Sequence, residues 1–269
     1  MATVVADVRP TDFVRPPSAL LALTELPRAI AEWGSLAVSM GALVATAPRG
    51  DGHPVLVLPG FMTSDTSTRV LRRFLRTLGY DAHSWNLGRN LGPRAIGAQG
   101  EKLVERLREV HEATGQKVSL VGWSLGGVMA RLLARRAPDH VRQVITLGSP
   151  FAGSPKSSNV WRLYEYMSGT AVDGQHTQGM LAEIAAPPSV PTTAIYTKGD
   201  GVVAWQTCRE VESDTAENIE VHGSHCGLGV NPSVLYAVAD RLARKPGERR
   251  RFDRDGWKHG WMYPRGSRH

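Results

Sequence analysis

Apolar residues in this chain fall into short, β-branched runs separated by stretches of helical period. The runs lie near Val55–Leu58, Asp81–Trp85, Val118–Gly122, Val144–Leu147, Thr193–Thr197 and Ile219–His222. Each is of strand length, and most are too continuously apolar to face water on one side. Between them the period changes. Thr66–Leu78 carries Val70, Leu71, Phe74, Leu75 and Leu78, and Ile96–His111 carries Leu103, Val104, Leu107 and Val110. Val128–Ala137 and Ser233–Leu242 continue the pattern. Strands alternating with helices predict an α/β fold: a mostly parallel central sheet with helices on both faces.

Three regions stand outside that alternation. Residues 1–50 form an N-terminal extension that reads as two helices, Ser18–Trp33 and Ser35–Ala47, packed on the body. The second apolar stretch is shorter than the roughly 18–20 residues that span a bilayer, so no transmembrane helix is expected. The region at about 151–190 is too long for a simple connection inside the domain of residues 51–243. It holds Trp161, Leu163, Tyr164, Tyr166, Met167, Met180, Leu181 and Ile184 among glycines and serines. Such a segment reads as a helical lid over a site for an apolar ligand, with Trp161, Tyr164 and Met167 as substrate-binding candidates. A small cap that only packs on the core explains the same residues. The third region, 244–269, is a basic and aromatic tail.

Composition sharpens this picture in two places. A chain of 269 residues, 42% hydrophobic, suits one sizeable α/β domain. The net charge of +7 is unevenly placed: ten Lys and Arg but three acids fall from Arg241 onward, which leaves 22 of each sign in the body. The domain is neutral, so no nucleic-acid partner is expected of it. The tail, with Arg249–Arg251, Trp257, Trp261, Met262 and Tyr263, either packs its aromatics on the body or a neighbouring subunit, or lies on an anionic membrane or an RNA strand. Packing is the simpler reading, because acids and glycines dilute the charge. Residues 1–17 lack the basic start and apolar core of a secretory signal, which makes a cytoplasmic address the default. A membrane-touching role for the N-terminal helices stays open.

The candidate chemistry begins at Gly122-Trp123-Ser124-Leu125-Gly126. A strand feeds this Gly-x-Ser-x-Gly turn and a helix follows at once. Glycines on both sides of the serine allow a tight, strained turn that lifts the hydroxyl off the sheet, and the helix start aims N–H groups at the same point. Ser124 is the candidate nucleophile. Downstream, Asp200 follows one strand and His225 another, giving the order Ser…Asp…His. Carboxyl ends of parallel strands converge on one edge of an open sheet, so these residues are able to meet.

With these motifs the chain resembles an α/β-hydrolase of the lipase/esterase kind, over roughly Pro54–Ala243. The resemblance rests on Leu58-Pro59-Gly60-Phe61-Met62, the Ser124 turn, Lys198–Val203 and Gly223–Leu228, with Thr146–Ser154 as a fifth segment leading into the lid. It implies an acyl-serine mechanism. His225 takes the proton of Ser124, Asp200 orients the imidazole, and backbone N–H groups of Phe61 and Leu125 form the oxyanion hole. Many lipases carry His-Gly where this chain has Phe61-Met62.

Each assignment has a rival: His222 for the base, and Asp214 or Asp173 for the acid. His83, His111 and His140 read as surface or turn residues. No spacing matches a metal site or a dinucleotide or phosphate loop, so neither metal nor cofactor is expected. Cys208 and Cys226 follow the two catalytic loops; they are either a disulfide or a reduced pair, and a cytosolic address favours the latter. The expected activity is hydrolysis of an apolar, lipid-like carboxylic ester. The same triad also serves acyltransferases, thioesterases and amidases, and the fold can act as a non-catalytic binding module. Nothing in the chain fixes an oligomeric state.

Overall fold

The computed structural model describes residues 12–169, 175–254 and 262–264. Six strands form one sheet: β1 (Pro54–Leu58), β2 (Asp81–Ser84), β3 (Val118–Trp123), β4 (Val141–Leu147), β5 (Thr192–Tyr196) and β6 (Ala216–Glu220). Their spatial order is β2-β1-β3-β4-β5-β6, and every neighbouring pair is parallel. The chain moves outward from β1 to β2, then returns to place β3 on the other side of β1. That reversal opens a crevice at the carboxyl ends of β1 and β3, the usual ligand position in such sheets.

The helices are α1 (Ala19–Leu23), α2 (Glu25–Thr46), α3 (Arg69–Thr77), α4 (Pro93–Ile96), α5 (Glu101–Thr114), α6 (Leu125–Arg136), α7 (Trp161–Ser168), α8 (Gln175–Ala185) and α9 (Pro232–Leu242). Successive residues of a strand face opposite sides, and the core divides accordingly. Val55 and Val57 of β1 pack with Leu71 and Phe74 of α3 and Leu235 of α9. Leu56 and Leu58 of the same strand pack with Leu107 of α5 and Met129 of α6. Both faces of the sheet are therefore covered, as the strand–helix alternation predicts.

The structure corrects three boundaries. The N-terminal helices divide at Thr24 rather than at Gly34, so α2 runs unbroken through 22 residues. Pro27 explains the division: it has no N–H to bond the preceding turn, and it is tolerated only in the first turn of a new helix. By length and composition α2 is long and apolar enough to cross a membrane, contrary to the expectation from the shorter stretch. One of its faces is nevertheless committed to the domain, with Ala29, Leu36 and Leu43 buried. The expected helix Ile96–His111 is split into α4 and α5, because Gly97 and Gly100 have φ of 89° and 75°. Finally, β6 begins at Ala216, inside a polar run that reads as a solvated turn. Glu217 of that run is buried beneath Arg241, whose Nη1 donates to it at 2.6 Å.

The described part of the tail packs on the body. Phe252 and Tyr263 are buried against each other with ring centroids 4.8 Å apart, and Tyr263 donates to the carbonyl of Ser233 at 2.7 Å. Arg250 pairs with Asp240, and Arg249 with Asp214. Trp257 and Trp261 lie outside the described residues.

Candidate active site

Ser124 lies between β3 and α6 with φ 53° and ψ −121°, a backbone region that β-carbon-bearing residues rarely occupy. The neighbouring small residues make it possible. A Cβ on Gly126 would collide with the carbonyl groups of Leu58 and Pro59, so the turn reaches its depth only with glycine there. The hydroxyl consequently stands at the β1/β3 crevice. The Ser124 amide is held by the carbonyl of Leu147, at 2.8 Å.

The loops after β5 and β6 deliver the other two groups. His225 Nε2 is 3.0 Å from Ser124 Oγ, and His225 Nδ1 is 2.6 Å from Asp200 Oδ2. The remaining Asp200 oxygen accepts the amides of Val202 and Val203, each at 2.8 Å, which fixes the carboxylate plane. Asp200 and His225 are both buried. Burial alone lowers the basicity of His225; the charge and hydrogen bond of Asp200, and then the charge of Glu25, outweigh it and raise the pKa above the ordinary 6.5. An imidazole so placed can accept the serine proton and remain a stabilised cation.

The rivals lie elsewhere. His222 is exposed, and its carbonyl accepts from Asn231 Nδ2 at 2.9 Å. Asp214 is exposed and paired with Arg249. Asp173 lies outside the described residues. His83 pairs with Asp81, while His111 and His140 stack on each other. Both cysteines are free, and burial followed by the charge of Glu25 pushes the Cys226 thiol up to about 12.

The proposed oxyanion donors border the same space. Leu125 opens α6, so its N–H belongs to a first turn that has no intrahelical acceptor. Phe61 follows Gly60 in the turn after β1, and that turn approaches Ser124 closely: a Cβ on Gly60 would contact Ser124 Cβ at 3.5 Å. Sequence reasoning missed the residue that braces this turn. Asn90 is fully buried, donates through Nδ2 to the carbonyl of Pro59 at 2.8 Å, and accepts the amide of Met62 on its own carbonyl at 2.8 Å.

A cavity of about 140 Å³ opens from Ser124. Phe61, Leu125, Val128, Trp161, Tyr164 and Ile184 are among its walls, and among the described residues no charged side chain lines it. Helices α7 and α8 supply the side away from the sheet. Trp161 and Tyr164 thus reach the cavity, and the Tyr164 ring lies 5.3 Å from that of Phe61. Met167 does not line it. It lies one turn beyond Tyr164, near the end of α7, and its carbonyl accepts from Arg94. Among the described residues no group of His, Cys, Asp and Glu has the arrangement of a metal site.

A second Asp–His–Ser series occurs at the opposite edge of the sheet. His53 contacts Asp51 through Nδ1 and lies 2.9 Å from Ser119 Oγ through Nε2. His53 and Ser119 are buried at 1% and 0% exposure. No substrate atom can reach that serine, so residue types alone do not make a site.

Comparison with known proteins bears on the fold. Residues 54–178 match the alpha/beta hydrolase fold. A triacylglycerol lipase of Burkholderia plantarii is 31% identical over 140 residues, 49% of this chain and 39% of that protein. A triacylglycerol lipase of Pseudarthrobacter phenanthrenivorans is 31% identical over 109 residues, 38% of this chain and 34% of that protein. The aligned stretches thus span well under half the length of these relatives. Among solved structures, Aspergillus fumigatus lipase B superposes with a TM-score of 0.58 at 19% identity, covering 78% of this chain and 58% of that one. The chain therefore has the α/β-hydrolase fold, and part of its sequence is similar to triacylglycerol lipases.

Proposed function

We propose that this protein is a serine carboxylic-ester hydrolase acting on apolar acyl esters. One observation carries the reading: the Asp200–His225–Ser124 hydrogen-bonded series ends at the mouth of a cavity whose described walls carry no charged side chain. Ser124 Oγ attacks the ester carbonyl while His225 Nε2 takes its proton. The oxyanion is received by the N–H groups of Leu125 and Phe61, and His225 returns the proton to the departing alcohol. Water, deprotonated by the same imidazole, then releases the acid from the acyl-serine.

The apolar walls point to the acyl chain as the part that is bound. Each methylene transferred from water contributes about 0.8 kcal/mol, or about fourfold in kcat/KM, until the space is filled. A series of p-nitrophenyl esters of increasing acyl length tests this. The expected result is a rise followed by a plateau, abolished throughout by Ser124→Ala. A series flat from acetate onward would rule out an apolar acyl site.

Peripheral contact with a lipid surface belongs to the same proposal. Leu20, Leu23, Leu26, Ile30 and Trp33 are all exposed on α1 and α2, whereas the charged residues of α2, namely Glu25, Arg28 and Glu32, bond inward to loops of the domain. Large apolar side chains with no intervening charge suit the headgroup boundary of a bilayer. Co-sedimentation with zwitterionic vesicles, lost in an Ile30→Ser/Trp33→Ser variant, is the expected outcome. Equal sedimentation of both proteins would exclude this face.

A further inference from the structure

The first turns of α2 reach the catalytic loops directly. Glu25 is 4% exposed, and its carboxylate gathers backbone N–H groups from two separate loops. Oε1 accepts from Gly201, the neighbour of Asp200, at 2.7 Å, and from His225 itself at 3.1 Å. Oε2 accepts from Cys226 at 2.8 Å. One turn on, Arg28 pairs with Glu25 at 3.0 Å and donates through Nη1 to the carbonyls of Gly199, at 2.5 Å, and Gly223, at 3.2 Å. Glu32 repeats the contact a further turn along, accepting from the amide and hydroxyl of Ser224 at 2.8 and 2.6 Å. The spacing 25, 28, 32 places all three on one face of the helix.

We propose that Glu25, bridged to Arg28, is a positioning residue of the catalytic centre, tying the acid loop and the histidine loop into one unit and placing a second carboxylate against the backbone amide of His225. This rests on the serine-hydrolase reading above. The loops come from different strands; among the described residues they are bridged, besides the Asp200–His225 contact, by side chains of α2 and by Thr197, with a Lys198–Glu220 ion pair at the base of the two loops. A buried carboxylate is costly unless its lone pairs are filled, and here three amides and a guanidinium fill them. The acid loop is also shaped to receive the helix. A Cβ on Gly201 would collide with the carbonyl of Leu21 at the end of α1. The charged groups facing His225 are Asp200 and Glu25, with Arg28 behind Glu25 and Glu32 on the adjoining Ser224. Loss of the Glu25 charge should therefore destabilise the imidazolium.

The test compares full-length wild type with Glu25→Gln and Glu25→Asp. Two readouts are needed: the His225 ring titration by NMR, and the rate of Ser124 modification by a fluorophosphonate. In Glu25→Gln the ring pKa should fall by about 0.5 or more, since one negative neighbour is removed. The modification rate should fall about tenfold, since an amide cannot accept at both positions and the loops shift. Glu25→Asp keeps the charge and should hold the ring pKa near wild type while slowing modification less. If Glu25→Gln does not fold, the half-buried Arg28→Gln takes its place and should slow modification severalfold. Folded variants whose ring pKa and modification rate both match wild type would overturn the inference. A wild-type protein that is not modified at Ser124 would count against the hydrolase reading instead, and the ring titration would still decide the role of Glu25.

Discussion

The indole N–H of Trp123 donates to the carbonyl oxygen of His225 at 3.1 Å, so the residue before the proposed nucleophile holds the backbone of the proposed base. Trp123→Phe keeps most of the ring but removes the donor. A lost hydrogen bond is worth about 0.5–1.5 kcal/mol, which predicts a fall in kcat of about 3–10-fold with KM little changed. Steady-state kinetics on a soluble ester would check this. An unchanged kcat would mean that the histidine loop is held without the indole.

The pH profile follows from His225. Its pKa is raised above 6.5, and the base must be neutral to accept a proton. Turnover should therefore fall as pH drops through a midpoint above 6.5. Asp200→Asn should move that midpoint down, because the largest favourable influence on the imidazolium is lost, and should reduce kcat severely through loss of tautomer control. A midpoint at or below 6.5 in the wild type would contradict the electrostatic account.

His53 predicts a different, purely structural pH effect. Burial lowers its pKa below 6.5 despite the Asp51 contact, so the folded state favours the neutral ring. The sign is then fixed: this stabilisation is full above about 6.5 and is lost as pH falls through the window beneath it. Thermal midpoints measured downward from neutral pH should decline in the wild type and decline less in His53→Gln. Equal slopes would show that His53 does not titrate on unfolding.

Arg131 and Glu210 form a buried ion pair behind the cavity, and Arg131 also donates to the carbonyls of Ile184, Ala185 and Ala186 at the end of α8. Removing one partner strands the other charge, so Arg131→Met should lower unfolding free energy by about 3–5 kcal/mol. Adding Glu210→Leu should recover part of that loss. Urea unfolding of the single and double variants measures both. A single variant as stable as wild type would mean the pair is not buried in solution.

Legibility in the sequence tracked the range of the interactions involved. The Ser124 turn depends on neighbouring glycines, a strand and a helix start, all local, and its position could be read directly. Asp200 and His225 followed from strand ends in a parallel sheet, where topology makes distant residues converge. Glu25 and Arg28 were invisible, because nothing near them in sequence marks contact with loops some two hundred residues away. They resemble the charged face of any surface helix. Met167 shared the aromatic and methionine character of the lid, but composition does not say how far along α7 the cavity extends. The last strand starts three residues before the expected Ile219, because the charge of Glu217 is neutralised by Arg241, a partner from α9.

The central claim is that Ser124 is the activated nucleophile. Mass spectrometry of the protein after reaction with a fluorophosphonate tests it most directly. The account predicts a single adduct on the peptide containing Ser124, absent from Ser124→Ala and greatly slowed in His225→Ala. An adduct that persists in Ser124→Ala, or none in folded wild-type protein, would contradict it.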